Sequence, residues 1–508
     1  MTNANLYLTF AQQGFSHAGD RIFLQTPGRE PLLYGQLDGL TAQLQHRLIE
    51  LGVKKGDRVM VQVAKSYEAL ILYLACLRAG AIYIPLNTAY TAAEVDYFMG
   101  DATPQVVVCD PRGFEALKPV ADKLKVPHLL TLSEKGEGSL QDHVAELPAE
   151  ADVVAVTTDD LAAILYTSGT TGRSKGAMLS HENLRSNAQV LHDYWQWQDG
   201  EDVLLHALPI FHVHGLFVAL HCALLGTSTV HFLPKYEVNE IMRLIPESTV
   251  MMGVPTFYTR LLDEESFDQS LVSNMRLFIS GSAPMLAETH YQFTERTGLS
   301  ILERYGMTEA GMITSNPYDG DRVPGTVGFA LPGVQVRVAD DEGNVLSAGE
   351  TGVLEVIGPN VFKGYWQMPE KTAAEFRKDG WFITGDLSTM DKEGRVSIVG
   401  RAKDLIISGG YNIYPKEIEG EIDLIPGVKE SAVIGVPHKD FGEGVTAVVV
   451  ADGSADISES VIVSALDGKL ARFKQPKRVY IVDELPRNTM GKVQKAQLRD
   501  QYQDSYAS

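Results

Sequence analysis

The sequence predicts an α/β protein with a large N-terminal domain and a small α+β C-terminal domain. Three observations predict it. The chain has 508 residues, more than one hydrophobic core ordinarily serves, so at least two domains are expected. Short apolar runs alternate with amphipathic stretches through the first two thirds of the chain, the signature of parallel strands covered by helices. After about residue 335 the pattern changes to shorter strands separated by Asp-Gly and Gly-Gly turns.

The elements follow in order. DRVMVQV (57–63) reads as a buried strand, SYEALILYLACLRAG (66–80) as a helix and AIYIPLN (81–87) as the next strand. PQVVVCD (104–110) and STVMMGVP (248–255) are further buried strands. VQVRVADDEGNVL (334–346), GVLEVIG (352–358) and RVSIVGRAKDLIISGG (395–410) form a β-rich subdomain. Beyond residue 404, AVIGVP, GVTAVVVAD, a helical SESVIVSALDGKLARF and KRVYIVDELP suffice for a small domain of their own. The expected division is 1–399, a hinge at 400–404 (GRAKD), and 405–508.

Composition narrows the function. Hydrophobic residues make up 44% and charged residues 21%, as in ordinary globular proteins, and the net charge is −21. An acid-rich surface repels phosphate backbones and anionic lipid, so neither nucleic acid nor membrane is expected as a partner. No run reaches the roughly 18 apolar residues of a spanning helix, and the N-terminus does not read as a signal peptide. Three scattered cysteines, Cys76, Cys109 and Cys222, suit a reduced cytoplasmic interior and offer no metal knuckle.

The segment YTSGTTGRSKGAM (166–178) crowds hydroxyls, glycines and one lysine behind an apolar run. It is not a Walker loop, because Lys175 does not directly follow a glycine at the required spacing. GRSKG (172–176) fits the G-x-S-x-G of a serine hydrolase with Ser174 as nucleophile, but a nucleophile elbow joins strand directly to helix. Five further loop residues intervene here. A nest of backbone amides and hydroxyls with one ammonium suits phosphoryl oxygens better.

The loop is followed in order by SGSAP (280–284), ERYGMTE (303–309), TGD (384–386), GRAKDLIISGGYNIYPKEIE (400–419) and PRNTMGKVQK (486–495). Together these motifs resemble the adenylate-forming superfamily of acyl-CoA synthetases, adenylation domains and luciferase, over nearly the whole chain. The resemblance implies a mobile C-terminal domain and a ligase that uses ATP, Mg²⁺ and coenzyme A. It places Thr167, Ser168, Gly169, Thr170, Thr171, Gly172, Arg173, Ser174 and Lys175 on the ATP phosphates. It places Ser282, Ala283, Pro284, Glu303, Arg304, Tyr305, Gly306 and Met307 around the adenine and AMP. Thr308 would bond the α-phosphate, and Glu309 would hold the metal, a hard cation suited to carboxylate and phosphate oxygens. Asp386 would take the ribose hydroxyls, Arg401 the sugar or phosphate, and Lys492 the charge built up as a carboxylate attacks phosphorus. Lys495 would be dispensable. Lys403 occupies the hinge, and Ser408, Gly409 and Gly410 would face the pantetheine arm.

The acid pocket is expected from PIFHVHGL (209–216), GVPTFYTRLL (253–262) and ERYGMTEAGM (303–312). Two arginines in it, Arg260 and Arg304, suit a second carboxylate. These segments resemble the malonyl-CoA synthetases within the superfamily. That resemblance implies malonate held by Arg260, Arg304 and Ser282, with Val213 and Met312 beside its α-carbon. His212 and His214 lack a third ligand and the spacing of a metal pair, so His212 reads as a pocket or tunnel gate. No carrier domain follows residue 508, so free coenzyme A is the expected acceptor. Malonate and methylmalonate are left open. A lysine acyltransferase or deacylase acting on Lys492 would switch adenylation by changing its charge.

Overall fold

The computed structural model describes residues 3–15, 18–167, 174–408, 411–438, 441–467, 469–470, 472–488 and 491–506. Two mainly parallel sheets form the large domain. Among the described residues, the first runs His128–Thr131, Val106–Cys109, Arg58–Gln62, Ile82–Pro85, Leu161–Thr167 and Lys175–Ser180, parallel until an antiparallel last pair. The second places Leu302–Met307, Leu277–Ser280, Val250–Gly253, Val203–His206, Thr229–Phe232 and Ile22–Gln25 side by side in parallel, with antiparallel strands at both edges. Strands buried on both faces read as unbroken apolar runs. Val106–Cys109 and Val250–Gly253 are buried at every residue.

The helix Tyr67–Arg78 shows why the two sheets form one body. Ser66 caps it, accepting from the Ala69 amide. Eleven of its twelve residues are buried, because it lies in the core that joins both sheets. Leu72, Leu77, Ala163, Leu179, Leu204, Phe217 and Leu302 belong to that one cluster. At the helix end, buried Arg78 donates to the Tyr7 hydroxyl and to Gln45 Oε1, each at 2.9 Å, and pairs with Asp38.

The β-rich subdomain is an antiparallel sheet of Gln335–Ala339, Gly352–Ile357, Phe382–Met390 and Val396–Arg401. The C-terminal sheet, from Ile406–Ser408 to Arg478–Val482, has its own core of Ile406, Ile413, Ile418, Ile422, Val433, Val445, Val449, Ile462 and Leu466. One element is shorter than expected. The helix within SESVIVSALDGKLARF spans only Glu459–Leu466, because Asp467 turns extended, with ψ of 131°.

Candidate active site

The first group of side chains lies where the phosphate loop joins its sheet. Thr167 ends one strand and Lys175 opens the next, paired across the ladder. Ser168, Gly169, Thr170, Thr171, Gly172 and Arg173 lie outside the described residues. Lys175 Nζ is 3.0 Å from Glu375 Oε1 and 4.2 Å from the centre of the Tyr365 ring. The Tyr365 hydroxyl is 2.5 Å from Glu375 Oε2 and 3.1 Å from Glu309 Oε1. Glu309 is 6% exposed, and burial raises its carboxyl above the usual range. Thr308, half-buried, precedes it. Ser174 is followed by the strand Lys175–Ser180, not by a helix, and its carbonyl accepts from the Tyr97 hydroxyl at 2.8 Å. The strand–turn–helix geometry of a nucleophile elbow is absent, and the hydrolase alternative loses its premise.

A second group surrounds Asp386, which is 3% exposed in the strand Phe382–Met390. Arg401 faces it across the ladder, with Nε 2.9 Å from Asp386 Oδ1. The Tyr305 hydroxyl donates to Asp386 Oδ2 at 2.5 Å, and burial raises that phenol. Lys492 stands half-buried near the same cluster, its ammonium brought down to about 8 by burial and then by the Arg401 charge. Lys492 N donates to Asn488 Oδ1, and its carbonyl accepts from Asn488 N, both at 2.9 Å. Gly491 completes this turn at φ 73°, a left-handed conformation that suits glycine. A Cβ there would lie 3.2 Å from Thr256 Oγ1, so the lysine turn is seated against the large-domain helix Pro255–Leu262.

The third group surrounds Arg304. Arg304 is 3% exposed, and its Nε and Nη2 are buried without a hydrogen-bond partner. Burial pulls the guanidinium down to about 9, and the groups acting on it include no carboxylate. It lies so close to Gly281 that a Cβ there would be 2.4 Å from Cζ. His212 is held at about 4, first by burial and then by the charges of Arg304 and Lys492. It is therefore neutral near pH 7. His214 shares a 3.2 Å hydrogen bond with Ser282 Oγ. Ser282 adopts φ 69°, which is sparsely populated outside glycine and clusters at functional sites. Val213 and Met312 are both buried nearby. Gly306 leaves no room for a side chain, since a Cβ would approach Gly311 O to 2.2 Å; Met307 ends the same strand. Ala283 is half-buried and Pro284 exposed.

Several expected residues stand elsewhere. Arg260 is exposed, its guanidinium 5.7 Å from the Tyr236 ring centre. The expected fork of two arginines is therefore not assembled here: an eight-residue helix carries Arg260 on its outward side, where the long stem keeps its charge hydrated. Glu303 is buried but engaged by His290 Nδ1 at 3.1 Å and the Gly325 amide at 3.2 Å, which fits support of the strand rather than ligand contact. Lys495 is no free surface group; its Nζ lies 2.5 Å from Glu419 Oε1. Lys403 is exposed on the single turn Ala402–Asp404, and Ser408 is buried. Gly409 and Gly410 lie outside the described residues. Sequence reading did not single out Tyr365 and Glu375, which lie about 200 residues from Lys175 and carry no motif of their own.

Among the described residues no three His, Cys, Asp or Glu side chains cluster as a metal cage. Glu309, a buried carboxylate, fits a cation that arrives with phosphate oxygens completing its shell.

The AMP-binding enzyme family profile matches residues 10–366, and the AMP-binding enzyme C-terminal domain matches 417–492. A malonate–CoA ligase of Arabidopsis thaliana is 35% identical, covering 95% of this chain and 86% of its own length. ATP-bound MatB from Rhodopseudomonas palustris is 55% identical and superposes with a TM-score of 0.97, over 99% of this chain and all of that one. Apo MatB, equally identical and equally covered, superposes at 0.85. The present arrangement is thus nearer to that of the ATP-bound structure.

Proposed function

The chain belongs to the AMP-binding enzyme family, and from that premise we propose that it is an ATP-dependent malonate–CoA ligase. The single observation that carries the substrate is Arg304. A guanidinium that is 3% exposed and lacks a carboxylate partner is costly unless a ligand supplies the anion. A fatty acid would leave that charge unpaired, whereas a short diacid brings a second carboxylate to it. The malonate–CoA ligase likeness supports the same choice.

The reaction has two halves. One malonate carboxylate attacks the α-phosphorus of ATP, the bond to pyrophosphate breaks, and malonyl-adenylate forms. The thiol sulfur of coenzyme A then attacks the acyl carbon, AMP leaves with the bonding electrons, and the thiol proton passes to solvent. Lys492 is read as the ammonium that offsets the negative charge of the first attack, and Thr308 as a donor to the α-phosphate. Lys175, with the loop beginning at Thr167, holds the departing phosphates. Tyr305 and Asp386 are assigned to the nucleoside, with Arg401 fixing the Asp386 carboxylate at 2.9 Å. Glu309 would hold Mg²⁺, which neutralises phosphate charge when bound. His212, neutral and beside Arg304, gates the pocket. Val213 and Met312 border the α-carbon and decide whether a methyl branch fits. In the second half the C-terminal domain turns about Lys403 and presents the Ser408–Gly410 stretch to coenzyme A. Three free, buried cysteines suit a reducing compartment such as the cytoplasm.

The test is Arg304→Leu. Malonate-dependent AMP release is expected to fall by about 100-fold or more, as for loss of a buried charged hydrogen-bond partner. Acetate-dependent pyrophosphate exchange is expected to survive or improve. Unchanged malonate kinetics would remove the diacid assignment. Wild-type AMP release with malonate, methylmalonate, succinate and acetate, each with and without coenzyme A, ranks the acids.

A further inference from the structure

We propose that Glu375 is a release latch for the phosphate-binding lysine. It holds Lys175 in the nucleotide-free enzyme, competes with the β- and γ-phosphates for it, and takes it back as pyrophosphate departs. The proposal rests on the assignment of Lys175 to those phosphates.

The geometry is that of a pair built to exchange partners. Lys175 and Glu375 are 3.0 Å apart, with side chains 16% and 21% exposed, so water weakens the pair only in part. A nucleotide must displace this contact before Lys175 can serve it, and the contact re-forms when the phosphates go. Breaking such a pair ordinarily strands a half-buried carboxylate. Here it does not, because Glu375 keeps two other partners. Lys371 Nζ lies 2.8 Å from the same Oε1, one helical turn earlier, and the Tyr365 hydroxyl lies 2.5 Å from Oε2. The Tyr365 ring also stays beneath the Lys175 ammonium, at 4.2 Å, and can hold it during the exchange. Lys371 is 42% exposed and does nothing else visible at the site. It makes release of Lys175 affordable. Glu375 thereby sets how tightly pyrophosphate is kept, without touching substrate.

This assignment predicts opposite signs for two members of one ion-pair network. E375Q frees Lys175, so KM for ATP should fall and product inhibition by pyrophosphate should strengthen, each about two- to fivefold. K371Q leaves Glu375 with Lys175 as its one cation, so KM for ATP should rise and pyrophosphate inhibition should weaken, by about twofold. A merely structural network would move both variants in the same direction. All measurements use the full chain with malonate and coenzyme A, beside thermal melts. K175M separates the two levels of the argument. If K175M leaves KM for ATP and pyrophosphate inhibition unchanged, the phosphate assignment itself fails. If K175M weakens both but E375Q and K371Q shift together or not at all, the latch is wrong. K371Q, altering an exposed side chain, carries the sign test alone should E375Q not fold.

Discussion

In the proposed reaction Lys492 combines two demands that pull apart: it would carry charge to assist attack on phosphorus, and it sits where burial disfavours charge. Burial, and then Arg401, lower its ammonium to about 8 from an ordinary 10.5. The sign follows from proton binding. Between pH 8 and 10.5 the folded enzyme holds fewer protons at this site than the unfolded chain, so this group's contribution to stability rises with pH. Activity is expected to run the other way, because the proposed catalytic form is the protonated one. The kcat/KM for malonate-dependent pyrophosphate release is expected to fall above about pH 8, while kcat, reporting the complex with anionic substrates, should hold to higher pH. K492R should remove the limb along with most of the activity. A kcat/KM profile flat to pH 9.5 in the wild type would sink the assignment. At this scale the motifs drew attention to residues that the fold brings together: Lys492 in NTMGK and Asp386 in TGD lie close enough for the Asp386 charge to act on the lysine. Arg260 stands exposed, a placement that spacing on a helix does not reveal because it leaves the rotamer of a long stem open. Glu375 was unreadable because its meaning comes from Lys175, two hundred residues earlier.

The elements that carry the pocket are held by contacts that no local pattern announces. Lys65, just beyond the strand Arg58–Gln62, donates to His206 Nδ1 at 2.6 Å and to the carbonyls of His206 and Leu208, each at 3.0 Å. With Nδ1 accepting, His206 Nε2–H donates to Gly215 O at 2.9 Å. One ammonium therefore ties the first sheet to the second and fixes both ends of the segment that holds His212 and Val213. Gly215 is required there, since a Cβ would fall 2.1 Å from Pro209 O. Lys65→Met would strand three acceptors, with an expected loss of about 2–4 kcal/mol and a higher KM for malonate. An unchanged denaturation midpoint together with an unchanged KM would show that the clamp is idle. The strands themselves were legible because burial on both faces forces unbroken apolar runs. Sheet order was not, since parallel neighbours need share no sequence feature beyond their apolarity. The helix after Ser458 was overextended because amphipathic spacing continues past Asp467, where the backbone stops.

At the scale of the whole molecule, the large domain and the C-terminal sheet each have a core of their own. Ile406, Ile418, Val445 and Leu466 belong to the C-terminal core, and a Cβ at Gly491 in the lysine turn would lie 3.2 Å from Thr256 Oγ1 of the large domain. MatB offers the same comparison twice: the present chain superposes at 0.97 on the ATP-bound structure and at 0.85 on the apo one, at equal identity and coverage. A change between two arrangements of these bodies is proposed for this chain, and the connection would absorb it at a few dihedrals. We assign it to the turn after Arg401, where Ala402–Asp404 forms one 3₁₀ turn and Lys403 is exposed with little to hold it. Lys403→Pro tests this. Proline fixes φ at residue 403 and biases Ala402 away from helical backbone, so the turn can no longer serve both arrangements. The ratio of the two half-reaction rates is expected to change at least about tenfold, with the fold retained. Malonate-dependent pyrophosphate exchange reads the first half, and thioester formation from supplied malonyl-adenylate reads the second. If both proceed at wild-type rates, the two bodies turn about some other point. If both fall together while the melt is unchanged, the substitution has damaged the cleft near Arg401 and Asp386 and not the rotation.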